Sequence, residues 1–235
     1  HFYTEVRYKG TKTVAVSSDF GEMAKFGDIW LAPKQGADAA LAMAMGHVIM
    51  KEFHLDNPSP YFTDYIRRYT DMPMLVRLHE DGTGFEPKYF LRASDIKDGL
   101  GETDNTEWKT LVWNNLSGSL AVPNVSVGFR WDGSQKWNLE TRAQGENTEA
   151  TLSLKDAHDE VVKVAFSYFA AEKDELVYRK VPAKRITLAD GSTTLVATVF
   201  DLMAANYGIE RGFNDENCAT SYDDDKPYTP AWQQA

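Results

Sequence analysis

The sequence predicts an α/β fold: a parallel-sheet α/β unit carrying a loop-rich insertion of short strands. Three observations point there. Within the first 55 residues, short β-branched runs alternate with helical patterns at the density of parallel βαβ units. From about residue 80 the pattern changes to short strand candidates separated by Gly, Asn, Asp and Ser. From residue 184 regular structure returns as a hairpin and a helix. The expected organisation is therefore 1–80 as the α/β unit, 81–183 as the insertion, and 184–235 as the hairpin and helix returning to that unit.

Lys12–Ser17 (KTVAVS) is an apolar, β-branched run of the kind that forms a buried strand. Ser18 and Asp19 follow as capping side chains for a helical turn over 21–27. Asp28–Ala32 (DIWLA) is a second strand and Pro33–Gly36 a loop. Ala37–Phe53 predicts a long helix with Leu41, Met45, Val48 and Phe53 near one face, while Ala40 and Ala44 allow close packing. Asn57-Pro58-Ser59-Pro60 stops it, because the residue before a proline resists the helical conformation. Tyr61–Tyr69 is a further helix capped at or near Ser59, and Met72–Leu78 a strand with Pro73 near its start. Beyond the turn at Asp81–Gly84, the strand candidates are Glu86–Arg92, Trp108–Trp113, Ser119–Val122 and Trp137–Glu140. The tryptophans of this stretch are expected to anchor a small core. Lys184–Leu188 and Thr193–Thr198 flank the turn Asp190-Gly191 as a hairpin, and Val199–Tyr207 is a helix closed by Gly208. Pro230 sits where a last helix would start.

Composition narrows the function. At 235 residues, with 43% hydrophobic and 26% charged residues, the chain is an ordinary globular sequence of one large or two small domains. The net charge of −10 argues against a nucleic-acid footprint or a polybasic membrane patch. A single cysteine, Cys218, cannot make an internal disulfide, a zinc site or an iron–sulfur site. No apolar stretch is long enough to span a bilayer, so direct membrane insertion is not expected. The chain opens without Met or a signal peptide, and it reads as a fragment of something longer.

Familiar catalytic motifs are absent: no GxGxxG, P-loop, HExxH or GxSxG. His47 and His54 lie seven apart, whereas a helical metal pair wants three or four. Asp223-Asp224-Asp225 lacks the alternation and glycine of a calcium loop. Two loops carry the candidate chemistry. Ser17-Ser18-Asp19-Phe20-Gly21 follows the first strand, and Gln35-Gly36-Ala37-Asp38 follows the second. Both belong at strand carboxyl ends, where open α/β sheets bind ligands. A carboxylate there can accept from a guanine N1–H and N2–H₂ or from a ribose. Asp19 and Asp38 are also readable as plain helix caps.

Long runs resemble the alpha, catalytic subunit of membrane-bound respiratory nitrate reductases. They include Arg7–Val16 (RYKGTKTVAV), Trp30–Gly36 (WLAPKQG), Glu52–Ser59 (EFHLDNPS), Tyr61–Tyr65 (YFTDY) and Arg68–Val76 (RYTDMPMLV). Near the end come Leu188–Thr193 (LADGST), Ala205–Gly208 (ANYG) and Asn217–Asp224 (NCATSYDD), while the middle, about 81–180, is much weaker. The resemblance implies part of a larger molybdopterin oxidoreductase fold that reduces nitrate to nitrite at molybdenum held by two molybdopterin guanine dinucleotides. It implies that 1–80 is a dinucleotide-binding unit, with Ser17, Ser18, Asp19, Phe20, Gly21, Gly36, Ala37 and Asp38 contacting one dinucleotide. Position 37, often Thr or Ser in the family, is Ala here, so a hydroxyl contact is missing. The family's 4Fe-4S cluster ligands and its molybdenum-ligating Asp are expected outside this piece, which carries no catalytic or metal residue and should be inactive alone. An iron–sulfur beta subunit and a membrane gamma subunit are the implied partners, with attachment to the membrane through them, on the cytoplasmic face in bacteria.

Three rival readings stay open: a related molybdenum reductase of chlorate, perchlorate or selenate; a stand-alone, non-catalytic guanine-nucleotide-binding α/β module; and a structural domain whose Trp-rich insertion makes subunit contacts.

Overall fold

The computed structural model describes residues 2–125, 139–140, 142–143, 146–167, 176–224 and 226. Trp131, Trp137, Asp225 and the Pro230 helix start lie outside the described residues. The chain is a mixed α/β structure with two sheets that matter to the argument. The smaller holds β1 (Val14–Val16) and β2 (Ile29–Leu31), which pair in parallel in the register Val14↔Ile29, Ala15↔Trp30 and Val16↔Leu31. A helix not foreseen from sequence, α1 (Phe2–Tyr8), precedes them. The crossover between the strands is a single 3₁₀ turn, Ala24–Phe26, rather than the helix expected after Asp19.

The long helix is present in two parts. α2 (Asp38–Ile49) continues without a break into a π-helical segment, Met50–Asp56. Then α3 (Pro60–Tyr69) begins as its residues demand: Pro60 stands at its first position and Ser59 Oγ accepts from the Phe62 amide at 3.2 Å.

The larger sheet is a closed five-stranded barrel. Its first strands, β3 (Leu75–Glu80) and β4 (Phe85–Phe90), form an antiparallel pair. Between β4 and the remaining barrel strands lie short elements: β5 (Val112–Asn114) with β6 (Ser119–Ala121), β7 (Asn124–Val125) with β8 (Leu139–Glu140), and β9 (Arg142–Ala143) with β10 (Glu146–Asn147). The barrel is completed by β11 (Glu160–Ser167), β12 (Leu176–Thr187) and β13 (Thr193–Thr198), in the order β11-β12-β13-β3-β4. A parallel bridge, Val164↔Phe85, closes it.

Alternation along these strands sorts their side chains. Val76, Leu78, Val162, Val164, Phe166, Val181, Ala183, Leu195 and Ala197 form one buried cluster, with Leu202 and Ala205 of α4 (Val199–Asn206) packed against it. The opposite face buries Leu75, Ile186 and Val196 against Leu91, Leu111, Val122 and Leu154. Helix α4 starts on Thr198 Oγ1, which accepts from the Asp201 amide, and ends before Gly208 at φ +71°. The hairpin expected at 184–198 is there, and its first strand reaches back to Leu176. The barrel thus draws strands from before residue 81, from within 81–183, and from after it.

Two expectations are corrected. The strands at 14–16 and 29–31 are not buried: Val14, Val16, Ile29, Trp30 and Leu31 are all exposed, because the parallel sheet stops at two strands. Trp108 lies at the surface rather than anchoring a core, in a 3₁₀ turn (Thr106–Trp108) where a strand was expected. Trp113 does pack on the second cluster, with the Lys184 ammonium 4.4 Å from its ring centroid.

Candidate functional site

The parallel pair places both candidate loops at one edge of the small sheet. β1 and β2 run in the same direction, so the chain leaving Val16 and the chain leaving Leu31 emerge side by side. The entry to the pair is tied by Asp28, whose carboxylate accepts from the Thr13 amide at 2.7 Å, Thr13 Oγ1 at 3.0 Å and Arg7 at 3.1 Å. Those bonds, led by the Thr13 amide, hold its carboxyl below the ordinary range.

The first loop is shaped by its own hydroxyl and by β2. The Ser17 amide donates to the Leu31 carbonyl at 3.1 Å, which extends the ladder one residue past the strands. Ser17 Oγ donates to Asp19 Oδ1 at 3.0 Å. The Trp30 indole donates to the Ser17 carbonyl at 3.0 Å, and its ring meets Phe20 edge-on with centroids 5.1 Å apart. Ser18, Asp19 and Phe20 face solvent. Gly21 is only loosely packed: a Cβ there would lie 3.5 Å from Asp19 Oδ2.

The second loop turns at Gly36, whose φ of +82° is a conformation side chains resist. The Ala37 amide donates to the Lys34 carbonyl at 2.9 Å, and Ala37 then stands at the N-cap of α2 with no side-chain cap. Asp38 is the first residue of the helix, exposed, with no hydrogen-bond partner for its carboxylate among the described residues. The bland account of the two acids, plain capping, is therefore not what the structure holds. Ala37 occupies the cap position before α2, and the turn after Asp19 is preceded by Met23. Seven of the eight candidate residues belong to these two adjoining loops, and the eighth, Asp38, opens α2 directly after the second.

The two loops offer carboxylates, hydroxyls and backbone amides to a polar ligand. The uncapped amides of α2 and the positive end of its dipole favour a phosphate or other anion. The Asp38 carboxylate can accept from guanine or ribose donors, and Ser18 and Asp19 add a hydroxyl and a carboxylate. Sequence reasoning missed Asp28 and Trp30 as the residues that hold this edge in shape. An Asp and a Trp at the start and middle of a short strand were the available signal, but cross-strand contacts are invisible without the pairing.

Other polar features lie elsewhere. A cavity of about 750 Å³ lies between the end of the π-helical segment, α3 and the 149–157 and 209–212 loops, and no candidate residue lines it. At its wall Arg211 is paired with Asp201 at 2.6 Å and with Ser153 Oγ at 2.6 Å. The Glu210 carboxylate there accepts from the amides of Gly212, Phe213, Asn214 and Asp215. These groups satisfy one another. Cys218 is buried, and that burial pushes its thiol far up, so it offers no thiolate. His47 is fully buried against the Tyr207 carbonyl, and His54 stands edge-on to Phe62. Among the described residues there is no group of three or more His, Cys, Asp or Glu placed to hold a metal, and no helix long and apolar enough to cross a membrane.

A small parallel pair with two loops side by side at its carboxyl edge, together with a closed barrel, defines a mixed α/β protein. The comparisons give the family. The chain is 58% identical over its whole length to the respiratory nitrate reductase 1 alpha chain of Escherichia coli and 44% identical over its whole length to the nitrate reductase alpha chain of Bacillus subtilis. A perchlorate reductase alpha subunit of Dechloromonas aromatica is 34% identical over 54% of the chain. No family model matches. By these relatives the chain belongs to the nitrate reductase alpha-chain family of oxidoreductases. It spans about a fifth of the length of the two nitrate reductase chains.

Proposed function

We propose that the chain is a segment of the catalytic subunit of a respiratory nitrate reductase, and that residues 1–80 supply part of the cradle for one molybdopterin guanine dinucleotide. The observation that carries this is 58% identity across the whole chain to an Escherichia coli alpha chain. The two loops support the second half of the reading: Ser17, Ser18, Asp19, Phe20 and Gly21 on one side and Gly36, Ala37 and Asp38 on the other, side by side at the carboxyl edge of β1–β2. When bound, the bis(molybdopterin guanine dinucleotide) molybdenum centre supplies the oxygen-atom transfer that turns nitrate into nitrite.

This chain's own contribution is binding and orientation. Asp38 would accept guanine or ribose donors, and the first amides of α2 would favour an anionic group of the cofactor. Ser18 and Asp19 would add a hydroxyl and a carboxylate from the first loop, and the backbone at Gly36 and Ala37 would make the contact without the hydroxyl often found at position 37. Residues 81–183 and 184–235 form the scaffold on which this edge stands. The piece is inactive by itself. In the whole enzyme, electrons arrive through a 4Fe-4S cluster outside this segment and through an iron–sulfur beta subunit. A membrane gamma subunit holds the complex peripherally at the cytoplasmic face of the cell membrane.

Reduction of a related oxyanion is the second reading, favoured by the perchlorate reductase likeness, which is lower in identity and covers 54% of the chain. The test of the cradle is Asp38→Ala in the full-length enzyme. Molybdenum and guanine per chain should fall together, with roughly tenfold weaker retention, as ligand donors lose their acceptor. Wild-type content of both in the purified variant would sink the reading. Turnover with nitrate against perchlorate and chlorate decides the substrate.

A further inference from the structure

We infer that Trp30 is a positioning residue for the proposed dinucleotide site: its indole fixes the shape of the Ser17–Gly21 loop. The inference rests on the reading above and deepens it. Trp30 lies on β2 opposite Ala15 of β1. Along a strand every second residue shares a face, so Ala15 and Ser17 stand on one side. The indole spans that side from β2 and donates to the Ser17 carbonyl at 3.0 Å. It reaches there because Ala15 presents only a methyl group. That methyl is itself closely packed, since a Cβ on Gly27 would lie 3.1 Å from it.

Beyond Ser17 the loop has few anchors. The Ser17 amide ends the ladder on Leu31, and the Ser17 hydroxyl turns inward to Asp19. Phe20 is held by the edge-on contact with the same indole. One side chain therefore grips the loop at both ends of the stretch that carries Ser18 and Asp19. It does so from the strand whose own continuation carries Gly36 and Asp38. Trp30 thereby couples the geometry of the two loops. Both rings remain exposed, 62% for Phe20 and 41% for Trp30. Trp30 thus holds the loop with both its N–H and its ring.

The test compares Trp30→Phe and Trp30→Leu with Asp38→Ala in the full-length enzyme. Guanine retained per chain is measured after dialysis against mild urea, and hydrogen exchange is followed in a peptide covering Ser17–Gly21 and in one covering Thr193–Asn206. Phenylalanine keeps the ring and loses the N–H, so retention should fall about threefold to tenfold, the worth of one such bond. Leucine should lose more, and exchange should rise in the loop peptide alone. Wild-type retention and loop exchange in both Trp30 variants, with guanine lost in Asp38→Ala, would overturn the role of Trp30 and leave the site standing. Faster exchange in both peptides would also overturn it, since that marks loss of the fold. Full guanine retention in Asp38→Ala removes the site and this inference together.

Discussion

Single residues show where this fold spends its polar groups. His47 is fully buried on α2, with Nδ1 2.6 Å from the Tyr207 carbonyl and no partner for Nε2 among the described residues. The neutral ring with its proton on Nδ1 fits this environment. Burial, against the Tyr207 contact and helped by Lys51 and Arg179, pushes its pKa below the ordinary histidine value. A folded value below the unfolded one means the unfolded chain binds the proton more readily. The His47 contribution is then complete above about 6.5 and is lost as pH falls through that value toward the depressed one. Urea unfolding of the 235-residue chain should show a midpoint that drops between pH 7.5 and 5.5. His47→Gln, which can still donate to Tyr207 but cannot titrate, should flatten that drop, and an unchanged slope would assign it elsewhere. Asp201 makes a second case. It is fully buried and accepts from Arg211, Ser153 Oγ and the Leu154 amide, all near 2.7 Å. Asp201→Ala strands a guanidinium that is 7% exposed, so a loss of about 3–5 kcal/mol is expected in the same unfolding assay.

At the scale of elements, the barrel depends on one close approach. Gly84 leads into β4, and a Cβ there would sit 2.6 Å from the Lys163 carbonyl of β11, beside the Val164↔Phe85 bridge that closes the barrel. Backbone cannot move aside as a flexible side chain can. Gly84→Ala should therefore open the closing seam and cost about 2 kcal/mol or more, seen as a lower thermal midpoint. Gly82, at φ +91° with open space around it, would be strained by a side chain for a different reason, its backbone conformation. This contrast marks what sequence could and could not tell. Helices α2 and α3 and the hairpin around Gly191 were legible, because helical spacing, the Ser59-Pro60 cap and the Asp190-Gly191 turn are short-range signals. Strand β11 was missed although Val162, Val164 and Phe166 alternate along it, and the closure that makes it part of a barrel joins residues roughly eighty apart. The candidate loops were legible as loops at strand ends. Their capping alternative dissolved only when Ala37, not Asp38, proved to occupy the cap, and Trp30 acquired a role only when its cross-strand partner was known.

Taken whole, the molecule is lopsided. Most exposed large apolar side chains among the described residues lie between Phe2 and Tyr69, from both faces of the β1–β2 pair to Met45, Ile49 and Phe53. On α3, Tyr61, Tyr65 and Tyr69 line up at helical spacing, with ring centroids 6.3 and 5.0 Å apart along the ladder. The barrel buries its apolar residues in two continuous clusters, while α4 puts Leu202 and Ala205 into one of them and Phe200 and Ala204 into a third with Met50 and Ile66. Contiguous exposed apolar surface marks a covered interface, and the relatives are about five times as long as this chain. Limited proteolysis of the 235-residue chain should therefore cut first in the loops at 17–28 and 32–37 and leave a resistant piece holding β3, β12, β13 and α4. On the proposed reading, the remaining polypeptide and the dinucleotide would lie against those loop sites in the full-length enzyme, so they should be protected there. Early cleavage spread evenly along the isolated chain would mean that the segment before Thr70 is as firmly held as the barrel. Its exposed apolar face would then need no cover from elsewhere.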